Sequence, residues 1–417
     1  MSKILCLSHI FPPAIDGGSR VVYKLGQYFQ NQGNQVLFLS SDCSSTDDFT
    51  KKVSLFKGKT GLSGKGFIKI PVYHHLRRFL KFINLFIPPK TYLHQLLKVF
   101  QKGPIFKFIP FIKTTFKIIK FKPDLIIAGP LPTTIILYAN FLKKISTIYN
   151  LRPKILLNAS FHPTDHDFHC LPLIKTLQKA DYLWTLTQFE TNYFIKNFNI
   201  NPKKIILAGN GIDQSFLKTN KQKKVVPCPV KGRGREGFRL LFIGSLSAHK
   251  GLDTLITSFS NIYRPKSNIS LTIAGQKTLY YPQIKKQIQT LPQNIKSKIK
   301  FIFNFSQNKL SQIIDNCDIL ILPSKQESFG LVIIEAWARQ KPVIVSDIPS
   351  LSEITQKANG GLTFKLNNFS NLNQKISKLL KNSKLANQLG KNGFNYVKNN
   401  YTWNIVGRKI KEEISLY

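Results

Sequence analysis

Two carboxylates bracket an apolar run in "ESFGLVIIE", Glu327 to Glu335, with seven residues between them. A carboxylate next to a core costs free energy unless something binds it, so the pair suggests a ligand with hydroxyl groups at two places. The run follows the apolar "DILILPS", expected to be a strand, so it reads as a loop and then a helix beginning near Phe329. The N–H groups of Phe329, Gly330 and Leu331 would then face an anion, and Gly330 has no side chain to block its approach. Glu335 would lie in the first or second helical turn and Glu327 just before it, about 12 Å apart by helical rise or nearer if the loop folds back. A ligand that is both phosphate and polyol suits this arrangement. An N-capping Ser328 with two solvated glutamates fits the same letters.

Three other stretches hold residues capable of chemistry. In "FIGSLSAHKG" (242–251), Lys250 could deliver a point charge to a phosphate beside small residues, or be a solvated lysine ahead of a helix. In "FPPAIDGGSR" (11–20), Gly17 and Gly18 would let backbone approach a ligand where a helix begins, or form a plain turn. "NASFHPTDHDFHC" (158–170) crowds His162, Asp165, His166, Asp167, His169 and Cys170 together, a donor set that suits zinc or manganese. "GRGREG" (232–237) matches a dinucleotide fingerprint letter by letter, but it precedes a strand instead of opening a helix, so no nucleotide role is expected there.

The elements that must position these loops read as a repeated βα pattern. Strands are expected at 3–8, 35–40, 123–129, 154–160, 181–187 and 204–210, and again at 238–244, 270–275, 299–305, 318–324 and 341–347. The helix over 19–32 places Val22, Leu25 and Phe29 on one face. Such alternation predicts an α/β chain of two Rossmann-like domains in tandem with an interdomain cleft. The first domain is expected over 1–213 and the second over 238–399, with 400–417 crossing back onto the first and Trp403 as its anchor. The segment 214–237, which turns rich in Lys, Pro and Gly from 218, is the expected linker.

The chain has 417 residues and a formal charge of +41. That charge attracts polyanions such as nucleic acid, anionic lipid or phosphorylated ligands, or it reflects a Lys-rich composition alone. Five scattered cysteines, with no C-x-x-C pair, are expected to be reduced and mostly buried, as in a cytosolic protein. The N-terminus lacks a signal-peptide pattern, and prolines break the long uncharged run 125–142, so no membrane span is expected. No acidic residue occurs between Asp48 and Asp124. Within that stretch, "LRRFLKFINLFIPP" (76–89) reads as a helix with Leu76, Phe79, Leu80, Ile83 and Phe86 on one face and Arg77, Arg78 and Lys81 on another. It could lie on an anionic bilayer or pack on its own domain.

Glu327 and Glu335 at their spacing, the "G-S-L-x-x-x-K-G" stretch ending at Gly251, and "GNGID" at 209–213 together resemble the retaining GT-B glycosyltransferases of family 4. The resemblance implies a hexosyltransferase-like enzyme using a nucleotide-diphosphate-sugar donor held mainly by the second domain, with no metal or other cofactor. Glu327 would contact donor-sugar hydroxyls and Glu335 the ribose, with Lys250 and the amides of Gly330 and Leu331 on the diphosphate. Ser245 stands where the family usually has arginine, which leaves His249 or Arg20 to compensate. The glycine loop at Gly17 and Gly18 would face the donor phosphates and the acceptor. His162, or alternatively His166, would be the cleft histidine near the donor sugar. The expected acceptor is a glycan or lipid-linked precursor at the inner face of the cytoplasmic membrane. A basic nucleic-acid-binding protein and an inactive GT-B scaffold are the alternatives; no zinc-finger or RNA-recognition signature supports nucleic acid.

Overall fold

The computed structural model describes residues 1–11, 17–43, 66–73, 76–101, 103–163, 166–217, 237–263 and 269–415. Asp165, Cys228 and nearly all of the expected linker, with "GRGREG" up to Glu236, lie outside the described residues. Two compact units emerge: Met1–Gly209 with Val406–Tyr417, and Asn210–Ile405.

The first unit holds a seven-stranded parallel sheet of β1 (Lys3–Leu7), β2 (Gln35–Ser41), β3 (Phe67–Ile70), β4 (Leu125–Ala128), β5 (Lys154–Asn158), β6 (Tyr182–Thr185) and β7 (Ile205–Leu207). Its strands lie in the order β3-β2-β1-β4-β5-β6-β7. The second unit holds six parallel strands, β8 (Phe238–Ile243), β9 (Ile269–Ala274), β10 (Ile299–Ile302), β11 (Ile319–Leu322), β12 (Val343–Ser346) and β13 (Gly361–Phe364). These lie in the order β10-β9-β8-β11-β12-β13. Both sheets therefore reverse direction of strand addition once, between β1 and β4 and between β8 and β11, as doubly wound folds do.

The central strands are apolar throughout because helices cover both faces; every residue of β4, β11 and β12 is buried. One device recurs at strand entrances. An aspartate just before β4, β6 and β11 accepts a hydrogen bond from a backbone N–H at or just inside the start of the neighbouring strand: Asp124 from Lys3 (2.7 Å), Asp181 from Ile155 (2.6 Å) and Asp318 from Arg239 (2.8 Å). Each pins the register of one parallel pair where the ladder begins. All eleven expected strands are present, and β3 and β13 are additional. Both are four-residue edge strands with only their last residue buried, so their sequences lack the continuous apolar run of an inner strand.

Helix Gly17–Asn31 buries Val22, Leu25 and Phe29 as expected. At the other end of the chain, Ile212 and Thr402 form a short parallel bridge, with Ile212 N–H donating to Tyr401 O (2.8 Å) and Trp403 N–H to Ile212 O (3.1 Å). The helix Trp403–Glu413 starts in the second unit, and its residues from Val406 belong to the first, where Gly407 packs flat on Tyr28. Cys6, Cys43, Cys170 and Cys317 are free and buried. Among the described residues no helix is long and apolar enough to cross a membrane.

Candidate active site

In the second unit the reversal point between β8 and β11 brings together the two loops singled out by their residue types. Beyond β8, Gly244 and Gly275 touch backbone to backbone; a Cβ on Gly275 would lie 1.7 Å from Gly244 O. The chain then runs through Ser245 to the 3-10 turn Ala248–Lys250 and enters helix Leu252–Ile262 at Gly251, which has φ +66°. A Cβ at Gly251 would stand 2.0 Å from Pro323 O, so this glycine lets the first loop rest against the end of β11. Lys325 N–H donates to His249 O (2.7 Å), and Lys325 Nζ pairs with Asp253 (3.1 Å), which ties the loops together a second time.

Lys250 Nζ donates to Glu327 Oε2 at 2.6 Å, across 77 positions of sequence. Their side chains are only 16% and 14% exposed, so water screens the pair weakly. Ser324 Oγ lies 3.4 Å from the same carboxylate oxygen, and Ser350 Oγ donates to the Glu327 carbonyl (2.5 Å). One carboxylate oxygen is thus met by a cation and a hydroxyl, while Ser350 fixes the backbone beneath it. Ser245 Oγ sits 3.0 Å from Ser247 Oγ, and His249, exposed, has Nε2 3.5 Å from Ser247 Oγ.

The segment after Glu327 differs from expectation. The helix runs Leu331–Ala338, two residues later than Phe329, because Gly330 at φ +78° leaves right-handed helical geometry and acts as the N-cap. The amides without an intrahelical acceptor therefore begin at Leu331, and the N–H of Phe329 is not among them. Phe329 is buried edge-on against Tyr401, ring centroids 5.2 Å apart, and serves as an anchor. Gly330 is also required by packing: a Cβ there would meet Ile333 Cδ1 at 2.8 Å and Leu351 Cδ2 at 3.0 Å. Glu335 lies on the second turn of the helix and is buried, not a solvated surface glutamate. Helical rise separates it only from Leu331, so the 12 Å chain estimate does not apply. The far end of this helix is fixed by Arg339, whose Nε and Nη2 bind Asp315 at 2.7 and 2.6 Å and whose Nη1 donates to Phe216 O at 3.0 Å.

In the first unit the corresponding reversal point lies between β1 and β4. Ser8 Oγ there bonds Ser19 Oγ (2.9 Å) and Gly129 O (2.8 Å), and His9 Nε2 lies 3.4 Å from Ser19 Oγ. Gly17 opens the following helix and is exposed. Gly18 packs on the Pro130 ring, where a Cβ would sit 2.6 Å from Cγ, so its missing side chain serves helix packing. Arg20 is half-buried on this helix.

His162 stands on the loop after β5, its ring 5.6 Å from Phe168. His166 opens the 3-10 turn His166–His169. His169 has Nε2 2.8 Å from Pro163 O and packs against Phe161 and Phe198. Among the described residues no group of three or more His, Cys, Asp or Glu could hold a metal ion. Sequence reasoning missed Glu190, which is buried and joins two loops: Oε1 accepts from Phe161 N–H (2.6 Å) and Oε2 from Leu186 N–H (2.5 Å). The signal was the capping pattern Thr187-x-x-Glu190, where Thr187 Oγ1 accepts from Glu190 N–H. Here the glutamate also reaches sideways and positions the loop that carries His162.

Two doubly wound α/β domains, the second with a paired lysine and glutamate at its reversal point, give the chain a GT-B architecture. Residues 230–396 match the family described as glycosyl transferases group 1. An uncharacterised glycosyltransferase of Methanocaldococcus jannaschii is 30% identical over 254 residues, 59% of this chain and 69% of that protein. The O-antigen chain mannosyltransferase RfbU of Salmonella typhimurium is 26% identical over 187 residues, 45% of this chain and 47% of its own length. The crystal structure of Anabaena HepE in complex with UDP and glucose superposes with a TM-score of 0.73 over 100% of both chains at 15% identity, which is a likeness of fold. The chain belongs to the group 1 glycosyltransferases.

Proposed function

We propose that the chain is a retaining glycosyltransferase that moves a sugar from a nucleotide-diphosphate-sugar to a glycan or lipid-linked acceptor at the inner face of the cytoplasmic membrane. The carrying observation is the Lys250–Glu327 pair at the reversal point of the second sheet. Doubly wound sheets bind ligands at that point, beyond the carboxyl ends of the strands. Lys250 and the amides opening helix Leu331–Ala338 offer positive charge to a diphosphate, which stabilises the leaving group as the glycosidic bond breaks. Glu327 would accept from hydroxyls of the donor sugar, and Glu335 from the ribose. Among the described residues no side chain stands out as a nucleophile, so the chemistry fits front-face substitution with acceptor and donor aligned by binding, without a covalent intermediate. HepE, with UDP and glucose, and RfbU, an O-antigen chain mannosyltransferase by name, support a nucleotide donor and a glycan acceptor.

Thermal unfolding with a panel of nucleotide sugars tests the proposal. A true donor at a hundredfold excess over its Kd should add about 2.7 kcal/mol to wild-type stability. The same donor should protect Glu327→Ala much less. If no nucleotide sugar raises the wild-type Tm more than that of Glu327→Ala, the assignment is wrong.

A further inference from the structure

The first unit carries apolar surface that its own fold does not use. Leu76, Leu80 and Ile83 of helix Leu76–Ile83 are half-buried, so packing on the domain accounts for that part of the face expected from sequence. It does not account for Phe79 (55% exposed), Phe82 (58%), Leu85 (76%) and Phe86 (73%), which follow the helix and its exit turn. Phe82 and Phe86 stack edge-on with centroids 5.1 Å apart, and Tyr92 and Leu93 at the start of the next helix are exposed as well. Helix Phe108–Phe121 buries Ile118 with Thr114 and Thr115 and packs Phe111 on the core, yet it leaves Phe108, Ile109, Ile112 and Phe116 exposed. Each apolar side chain left in water forfeits its transfer free energy, so this outer face calls for a cover.

Charge identifies what covers this surface. Residues 66–123 contain 12 Lys and Arg and no acidic residue. Lys81, Lys90, Lys98, Lys107, Lys113, Lys117 and Lys120 among them are exposed and alternate with the apolar residues along the chain. We propose that this face, centred on Phe79, Phe82, Leu85 and Phe86, docks on an anionic phospholipid bilayer, apolar side chains entering the interface and lysines meeting the headgroups. Aliphatic side chains mixed with the aromatics suit acyl chains; a surface for nucleobases would be aromatic and polar. The proposal deepens the membrane-held acceptor put forward above, and rests on it, by assigning the surface that brings the enzyme to it.

Vesicle flotation of the full chain tests this. With vesicles of equal parts phosphatidylcholine and phosphatidylglycerol, wild type should float, and with phosphatidylcholine alone its partition should fall by about tenfold or more. The variant Phe79→Ser/Phe82→Ser/Leu85→Ser/Phe86→Ser should lose about tenfold of its binding to the anionic vesicles. It should keep the wild-type melting curve, since all four positions are exposed. A charge variant, Lys81→Glu/Lys90→Glu, should lose the preference for phosphatidylglycerol and serves if the serine variant folds poorly. Wild type that stays in solution, or that partitions equally into both vesicles, overturns the proposal. So does a serine variant that floats like wild type, or one whose sole change is conversion of a wild-type dimer to monomer, which would give the face to a second copy. Donor protection, measured on the same protein without vesicles, separates the two claims: protection without flotation sinks only the docking surface, and flotation without protection sinks only the donor.

Discussion

Separating Lys250 from Glu327 should cost more than a surface ion pair and less than a fully buried one. Their contact is 2.6 Å long, and both side chains are about six-sevenths buried. Breaking a buried pair by removing one partner costs about 3–5 kcal/mol because the other charge stays behind, whereas an exposed pair is worth about 0–1 kcal/mol. Lys250→Met leaves a carboxylate that Ser324 still approaches, so roughly 2–3 kcal/mol is expected. Glu327→Gln keeps an acceptor for the ammonium and should cost roughly 1–2 kcal/mol. The double variant should fall short of the sum by a coupling energy of about 1–2 kcal/mol. Urea unfolding in a Trp184→Phe background isolates the effect, because Trp337 and Trp403, the two remaining tryptophans, both belong to the second unit. Additivity within about 0.5 kcal/mol would show that the two side chains do not interact in the free enzyme, and the argument for a preorganised donor site would fall with it.

Two further outcomes follow from the same geometry. Gly251→Ala puts a Cβ at 2.0 Å from Pro323 O on a backbone at φ +66°, and should destabilise the second unit by roughly 2–5 kcal/mol, read by urea unfolding, and weaken nucleotide-sugar protection by moving Lys250. Burial pushes the Cys317 thiol from the ordinary 9.0 up to about 12. Below pH 9 both folded and unfolded chains hold that proton; between pH 9 and about 12 only the folded chain does, so stability should fall with rising pH across that window. Replacing Cys317 by alanine should flatten that part of the pH–stability curve measured by urea unfolding.

The inner strands were legible because a parallel sheet covered on both faces demands unbroken apolar runs, and "DLIIAG" or "DILILPS" can serve little else. The aspartate that opens each of these runs belongs to the same logic, though its task of capping the neighbouring strand shows only in three dimensions. Of the four edge strands, β7 and β10 were legible from the longer runs "KIILAGN" and "IKFIFNF", whereas β3 and β13 escaped because "FIKI" and "GLTF" are short and read as readily as turns. The basic helix was half legible. Its periodicity identifies an apolar face, but only packing separates Leu76, Leu80 and Ile83, which the domain uses, from Phe79, Phe82 and Phe86, which it leaves outside.

For the candidate site, residue type located the loops but did not show what their glycines pack against. A glycine beside a ligand, a glycine at positive φ and a glycine under another side chain look identical in sequence; Gly330 and Gly251 prove to be of the second kind with crowded surroundings, and Gly18 of the third. Yet these packing roles decide whether the chemistry can be assembled. Lys250 reaches Glu327 because β8 lies next to β11, and because Gly251 lets its loop rest on Pro323. Glu190 makes the same point in the first unit, where a residue that sequence assigns to one helix cap holds two separate loops by their backbones. The side chains named from sequence carry the charge, and the residues that sequence undervalued set the distance at which that charge acts.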